Sequence, residues 1–150
     1  VLVSDFYPGY DSLSCFQQKC LIHLIRDLNE DLFSNQFNEE YKMFVQGFSD
    51  LMMGIVKTID KRGLRKRYLK KYKKDVDRFY KKMIYKNGKT ELMIKWQKRF
   101  KKNEEKLFTF LDHDDCPWNN NNAEHAIIPF AKYRTYRDAH FSEKNIKPGF

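Results

Sequence analysis

The chain has few features of a secreted or membrane protein. Its 150 residues include three cysteines, an odd number that argues against a disulfide framework and fits a reducing compartment. Its apolar runs are far shorter than the roughly 20 residues that cross a bilayer. Residues 1–5 also lack the basic and apolar regions of a signal peptide. The sequence therefore predicts a cytoplasmic protein with no membrane contact.

Two common enzyme motifs are missing from the sequence as well. It has no glycine-rich phosphate-binding loop and no nucleophile elbow, which argues against the usual nucleotide-binding and serine-hydrolase sites. Hydrophobic residues make up 41% of the chain and aromatic residues 16%, which is too much for a disordered tail. A chain of this length suits one folded domain, or one domain with an appendage.

Positive charge is concentrated in the middle of the chain. Residues 57–106 contain 21 of the 29 lysines and arginines but only six of the 20 acidic residues, so the rest of the chain is acidic. Such a segment is a natural partner for a polyanion such as nucleic acid. A solvated helix surface explains the same charges equally well. Charge alone therefore leaves nucleic-acid binding open.

Two short strands are predicted near the start of the chain. Residues 1–3 form an apolar run that stops before Asp5, and residues 17–22 are a candidate for a second short strand. The segment between them is about as short as a crossover between parallel strands can be. Two strands do not make an independently stable sheet. We therefore expect the sheet to be incomplete in this chain.

The rest of the predicted structure is helical. A helical period begins at His23 and is interrupted at Asn35 and Asn38. Further apolar stripes follow at residues 41–59, 64–83 and 92–111. This pattern predicts an antiparallel bundle or hairpin of helices with a basic exterior. Aromatic residues at helical spacing are expected to form its core rather than a platform for stacking bases.

Two carboxylates occupy positions that suit metal-dependent chemistry. Asp5 ends the first predicted strand, and Glu124 lies in the first turn of a predicted helix that Asn121 or Asn122 can cap. Paired carboxylates of this kind can hold Mg²⁺, and two such ions can bind both reacting oxygens of a phosphodiester. The helix dipole alone also favours Glu124 where it stands. The pair is therefore ambiguous without other observations.

A second group of candidates follows the second strand. Cys20 and His23 have the spacing of half a zinc site, which His113 and Cys116 could complete. The alternative is a packed cysteine beside a histidine close to the carboxylates. Arg26, one turn later, either contacts a phosphate or pairs with Asp27 or Glu30.

Three blocks of the sequence together resemble the catalytic domain of bacterial transposases of the insertion-sequence 66 type. These blocks are residues 1–11, 17–27 and 117–126, in the order found in that family. The resemblance implies a mostly α-helical chain with a short β element. It would be a partial ribonuclease-H-like α/β fold interrupted by a helical insertion. Residues 1–35 and 112–150 would form the partial core, and residues 36–111 the basic insertion.

The same resemblance implies a site and a reaction. Asp5 matches the second catalytic aspartate of the family and Glu124 its glutamate. They would bind Mg²⁺ or Mn²⁺, two ions in the complete site, for DNA strand cleavage and strand transfer. Possible supporting residues of this site are Cys20, His23, Arg26, Asn121 and Asn122.

The resemblance also implies partners. The insertion would contact the DNA of the transposon ends and the target through Arg65, Lys66, Lys70, Lys73 and Lys74. Several copies of such proteins assemble on DNA, which implies a homo-oligomer in a bacterial cytoplasm, associated with the nucleoid.

The sequence departs from the family pattern in several places. The first catalytic aspartate belongs on a strand before Val1, and Asp11 is too close to Asp5 to replace it. Many members have arginine where this chain has His125 and Ile128. We therefore expect a fragment that is inactive alone. The alternative is a catalytically inactive, basic helical protein that binds nucleic acid.

Overall fold

The computed structural model of the chain describes residues 1–118. Two strands come first, β1 (Leu2–Ser4) and β2 (Gln17–Lys19), with a short 3₁₀ turn at Pro8–Tyr10 between them. The helices are α1 (Leu21–Ser34), α2 (Glu39–Arg62), α3 (Lys66–Leu69), α4 (Tyr72–Phe79), α5 (Glu91–Lys102) and α6 (Glu104–Leu107). A π-helical turn (Tyr80–Ile84) continues α4, and a 3₁₀ turn (Thr109–Asp112) follows α6.

The two strands form a parallel pair. Leu2 lies opposite Gln17 and Ser4 opposite Lys19, which confirms the parallel arrangement expected from the sequence. The second strand is shorter than predicted, because it ends at Lys19 and α1 already begins at Leu21. The backbone N–H of Cys20 donates to the carbonyl of Ser4 and closes the ladder there.

The predicted breaks between the long helices are confirmed. The segment from Asn35 to Asn38 separates α1 from α2, and the Asn38 side chain accepts a hydrogen bond from the backbone N–H of Tyr41 at 3.0 Å. Gly63 ends α2 with φ of 79°, a conformation that favours glycine. Thr90 caps α5 by accepting from the N–H of Met93 at 3.2 Å.

The third predicted helix, residues 64–83, is wrong as one continuous element. It is divided into α3, α4 and the π-helical turn, and its apolar stripe is only half-buried at Leu64, Tyr72 and Val76. The buried positions are Leu69, Phe79, Tyr80 and Ile84. The start of this segment forms a hydrogen bond with a residue that is distant in sequence: the backbone N–H of Asp115 donates to the Leu64 carbonyl at 2.8 Å.

The core is aromatic and helical. Phe100 of α5 lies 5.1 Å from Phe44 and 5.5 Å from Phe48, measured between ring centroids, and 5.9 Å from Phe79. Trp96 is fully buried in the same cluster. These rings pack against each other, as predicted, and do not form a stacking platform for bases. The structure is mostly helical, with one small parallel sheet in the part of the chain it describes.

No helix within residues 1–118 is both long enough and apolar enough to cross a membrane.

Candidate functional site

Asp5 stands directly after β1, at the carboxyl end of the sheet. Its side chain is exposed, and its Oδ1 accepts a hydrogen bond from the backbone N–H of Tyr7 at 2.9 Å. This bond orients the carboxylate at the point where the chain leaves the strand. Ligands of open α/β sheets bind at the carboxyl ends of strands. The sequence predicted that Asp5 lies at the carboxyl end of the first strand, and the structure has it there.

Cys20 and His23 lie at the same end of the sheet. Cys20 follows β2, and its backbone N–H donates to the carbonyl of Ser4, the residue before Asp5. Cys20 is buried, whereas His23 is half-buried in the first turn of α1. The Cys20 backbone thus lies next to the end of β1, where Asp5 follows, and α1 begins at the next residue, Leu21.

The segment that leads to Glu124 is anchored at this point. The carbonyl of Trp118 accepts the backbone N–H of Leu21 at 2.9 Å, and only 2% of the Trp118 residue is exposed. Glu124, Asn121 and Asn122 lie outside the described residues. In the sequence, Glu124 follows Trp118 by six residues.

The zinc alternative gains no support. Within residues 1–118, no three histidine, cysteine or acidic side chains are grouped closely enough to hold a metal ion. His113 instead packs its ring 5.1 Å from that of Phe16. Cys116 is buried, and burial raises the pKa of its thiol, which disfavours the thiolate that zinc binds.

Arg26 is exposed on α1, one turn after His23. Its suggested partner Asp27 instead forms an ion pair with Arg99 of α5, with 2.7 Å between Nη1 and Oδ2. The Arg99 guanidinium also lies 4.5 Å from the centroid of the Phe6 ring, next to Asp5. Sequence reasoning missed Arg99, because nothing local marks one cation among the many on α5.

A buried lysine fixes the loop that follows Asp5. Lys19 of β2 has a side chain that is 1% exposed, and its Nζ lies 3.0 Å from Oδ1 of Asp11. Lys106 donates to the same oxygen from 3.2 Å. Hydrogen bonds from Lys19 and Lys106 lower the pKa of Asp11. Sequence reasoning missed this contact. A lysine inside a predicted strand was a signal, because a lysine that is buried there needs an acidic partner.

The five predicted DNA-binding residues are all exposed, around α3 and the start of α4. We call this group the α3 surface; it consists of Arg65, Lys66, Lys70, Lys73 and Lys74. Arg65, Lys66 and Lys70 line an open groove of about 510 Å³. The surface is partly neutralised, because Arg65 lies 3.7 Å from Asp115 and Lys73 lies 2.9 Å from Asp112.

Comparison with known families identifies the chain. The model of the family described as "Transposase IS66 family" matches residues 1–144, which is nearly the whole sequence. The chain belongs to the IS66 transposase family. This confirms the resemblance stated from the three sequence blocks, and it supports a function in transposition with DNA as partner. No curated protein and no solved structure gives a significant match.

Proposed function

We propose that the chain supplies two of the three carboxylates of an Asp-Asp-Glu site that cleaves and joins DNA strands during transposition. Asp5 and Glu124 are these two residues. The first aspartate of such a site belongs on a strand that precedes β1 and lies in the same sheet. In this proposal, residues 1–35 and 112–150 belong to a ribonuclease-H-like core, and residues 36–111 are a helical insertion.

One observation carries the site assignment. Asp5 follows β1 at the end of the sheet where α1 begins with Leu21. The backbone N–H of Leu21 donates a hydrogen bond to the carbonyl of Trp118. The segment that contains Glu124 therefore starts beside the strand end that carries Asp5. This starting point supports a site in which a carboxylate of that segment joins Asp5.

Asp5, the carboxylate of the proposed site within residues 1–118, is a donor that suits a hard divalent cation. Asp5 is an exposed carboxylate with one oxygen oriented by the Tyr7 N–H, and carboxylate oxygens are the ligands that Mg²⁺ and Mn²⁺ take. When bound, two such ions supply Lewis-acid stabilisation for the attacking and leaving oxygens of a phosphodiester. The protein's own part is to hold the carboxylates. Cys20, His23 and Arg26 at the sheet end are proposed as supporting residues, together with Asn121 and Asn122.

Mn²⁺ binding tests the site. We expect the chain to bind Mn²⁺ weakly, since a site that needs three carboxylates has two, and to show no DNA cleavage alone. Asp5→Asn and Glu124→Gln should each weaken Mn²⁺ binding at least tenfold in a titration followed by electron paramagnetic resonance. Asp77→Asn, at an exposed position of α4, is the matched control. Both site variants binding Mn²⁺ as tightly as the parent would contradict the assignment.

A second candidate function is nucleic-acid binding without catalysis. The observation that favours it is the α3 surface, where Lys66, Lys70 and Lys74 are exposed and form no ion pair with a carboxylate of residues 1–118. This function predicts DNA binding that weakens with salt and survives loss of Asp5 and Glu124. Charge reversal at Arg65, Lys66, Lys70 and Lys73 should abolish it. Unchanged binding in that variant would exclude the α3 surface as the contact.

A further inference from the structure

A larger basic cleft lies beside the α3 surface and shares no lining residue with it. It opens between the C-terminal half of α2 and the junction of α3 with α4, with a volume of about 730 Å³. We call it the α2 cleft. Its basic lining residues are Lys57, Lys61, Arg62 and Lys71, and Tyr68 and Tyr72 complete the wall on the α3–α4 side.

The walls of the α2 cleft are fixed by its tyrosines. The Tyr72 hydroxyl donates to the carbonyl of Gly54 at 2.9 Å and lies 2.6 Å from Oγ1 of Thr58, which ties α4 to α2. Lys71 Nζ lies 5.3 Å from the centroid of the Tyr72 ring, and the Arg62 guanidinium lies 5.4 Å from that of Tyr68. Cation–π contacts of this kind orient the cations without neutralising them.

The charge in the α2 cleft is not balanced by the described residues. Asp60 also lines the cleft, but within residues 1–118 neither it nor any other carboxylate forms an ion pair with Lys57, Lys61, Arg62 or Lys71. On the α3 surface, by contrast, Arg65 and Lys73 are paired with acidic residues. The larger cleft is therefore the less neutralised of the two.

Helix stability does not explain all of these cations. Lys61 and Arg62 lie in the last turn of α2, where positive charge is favoured by the helix dipole. Lys57 lies a turn earlier, and Lys71 stands at the N-cap of α4, where positive charge opposes the dipole. A charge that is unfavourable for its own helix and forms no ion pair within residues 1–118 is consistent with an external anion.

We propose that the α2 cleft binds the phosphate backbone of double-stranded DNA, as a contact separate from the α3 surface. The proposal rests on the proposed function in one respect, because it takes DNA as the partner. Phosphates lie along both strands of the duplex, so a cleft with four oriented cations can contact several of them in sequence-independent fashion.

The salt dependence of DNA binding tests this proposal. The variant is the triple substitution Lys57→Gln, Lys61→Gln, Lys71→Gln, and the matched control is Lys81→Gln, Lys86→Gln, Lys98→Gln at exposed positions elsewhere. Both remove the same charge. Binding of a fluorescent duplex of random sequence is followed by anisotropy at several salt concentrations, with far-UV circular dichroism of each protein to verify equal helicity.

Removing one lysine that neutralises a phosphate lowers the magnitude of the slope of log K against log salt by about 0.9. We expect the slope of the cleft variant to be smaller than that of the parent by about two to three, and that of the control to be smaller by less than one. Equal decreases in the two triple variants would overturn the proposal, because net charge alone would then explain them. A cleft variant that keeps parental DNA binding but binds poly-glutamate more weakly would also overturn it, since the occupant would be an acidic polypeptide.

The outcome also separates this proposal from the proposed function. If the unmodified chain fails to bind DNA at all, the proposal for the α2 cleft is overturned, while the carboxylate site of the proposed function is still decided by the Mn²⁺ titration. If the chain binds DNA and only the α3-surface charge reversal weakens it, the α2 cleft is excluded while the proposed function stands.

Discussion

The helical part of the chain and its sheet end are stabilised in different ways. In the helical part, α2, α4 and α5 bury rings such as Phe44 and Phe100 against each other. At the sheet end, β2 buries the polar side chains of Gln17, Gln18 and Lys19. Apolar packing tolerates small shifts, whereas a buried polar group must keep its partners. The candidate carboxylate Asp5 thus stands on the part whose structure depends on specific hydrogen bonds.

The two parts are joined by polar contacts. Gln18 of β2 donates to the carbonyl of Leu107 at 2.6 Å and accepts the N–H of Phe110 at 2.9 Å. A second contact involves α1, the helix that begins directly after β2: the Trp96 indole N–H of α5 donates to the carboxylate of Asp31 at 2.8 Å. The two parts also share one apolar core, against which Val3 and Phe6 pack, so changes in the helices can reach the sheet end through apolar contacts as well as through these hydrogen bonds.

The largest expected effect is in the helical core. Phe100→Ala removes a ring that contacts Phe44, Phe48 and Phe79 and leaves a cavity that the helices cannot fill. We expect the free energy of unfolding to fall by about 3–5 kcal/mol, as measured by urea denaturation. Phe37→Ala, at a residue that is 95% exposed, is the control and should change it little. A decrease below about 1 kcal/mol for Phe100→Ala would show that the aromatic cluster is not the main source of stability.

The second prediction concerns the joint between the two parts. Gln18→Leu keeps the size of the side chain but leaves the Phe110 N–H and the Leu107 carbonyl without their buried partner. We expect a decrease of about 1–3 kcal/mol in the free energy of unfolding, again by urea denaturation. Gln36→Leu, at an exposed position, is the matched control. A neutral or stabilising result for Gln18→Leu would mean that the sheet end behaves as an ordinary apolar core, which would remove the contrast.

The long helices were predictable because their patterns are local. The apolar period of α2 and the asparagines at 35 and 38 determine where this helix begins, and Gly63 determines where it ends. The division of residues 64–83 was not predictable in this way. The contacts that hold the start of this segment are also distant in sequence: Asp114 accepts the N–H of Lys66 at 2.7 Å and Asp115 donates to the Leu64 carbonyl, both about 50 positions later. Periodicity carries no information about such distant contacts.

The candidate site was predictable to a similar extent. Asp5 could be placed because a short apolar run ends before it, and parallel pairing follows from the length of the loop to β2. The contacts that hold the loop between β1 and β2 could not be predicted, because Asp11 accepts a hydrogen bond from Lys106, which is 95 positions later in the sequence. The partner of Asp27 was missed for the same reason, because Arg99 is 72 positions later in the sequence.

The smallest expected effect sharpens the comparison at the sheet end. Hydrogen bonds from Lys19 and Lys106 hold the pKa of Asp11 below its ordinary 3.8, so its ionised form is more favourable in the folded state than in the unfolded one. The stability that this provides is present above the unfolded pKa and is lost as the pH falls through the lower folded pKa. Asp11→Asn should therefore be less stable than the parent at pH 6, and the difference should shrink in urea denaturation as the pH falls below about 4. If the difference in the free energy of unfolding between Asp11→Asn and the parent stays constant down to about pH 2, the charge of Asp11 does not contribute to it. The loop after Asp5 would then be stabilised by packing, as the helices are.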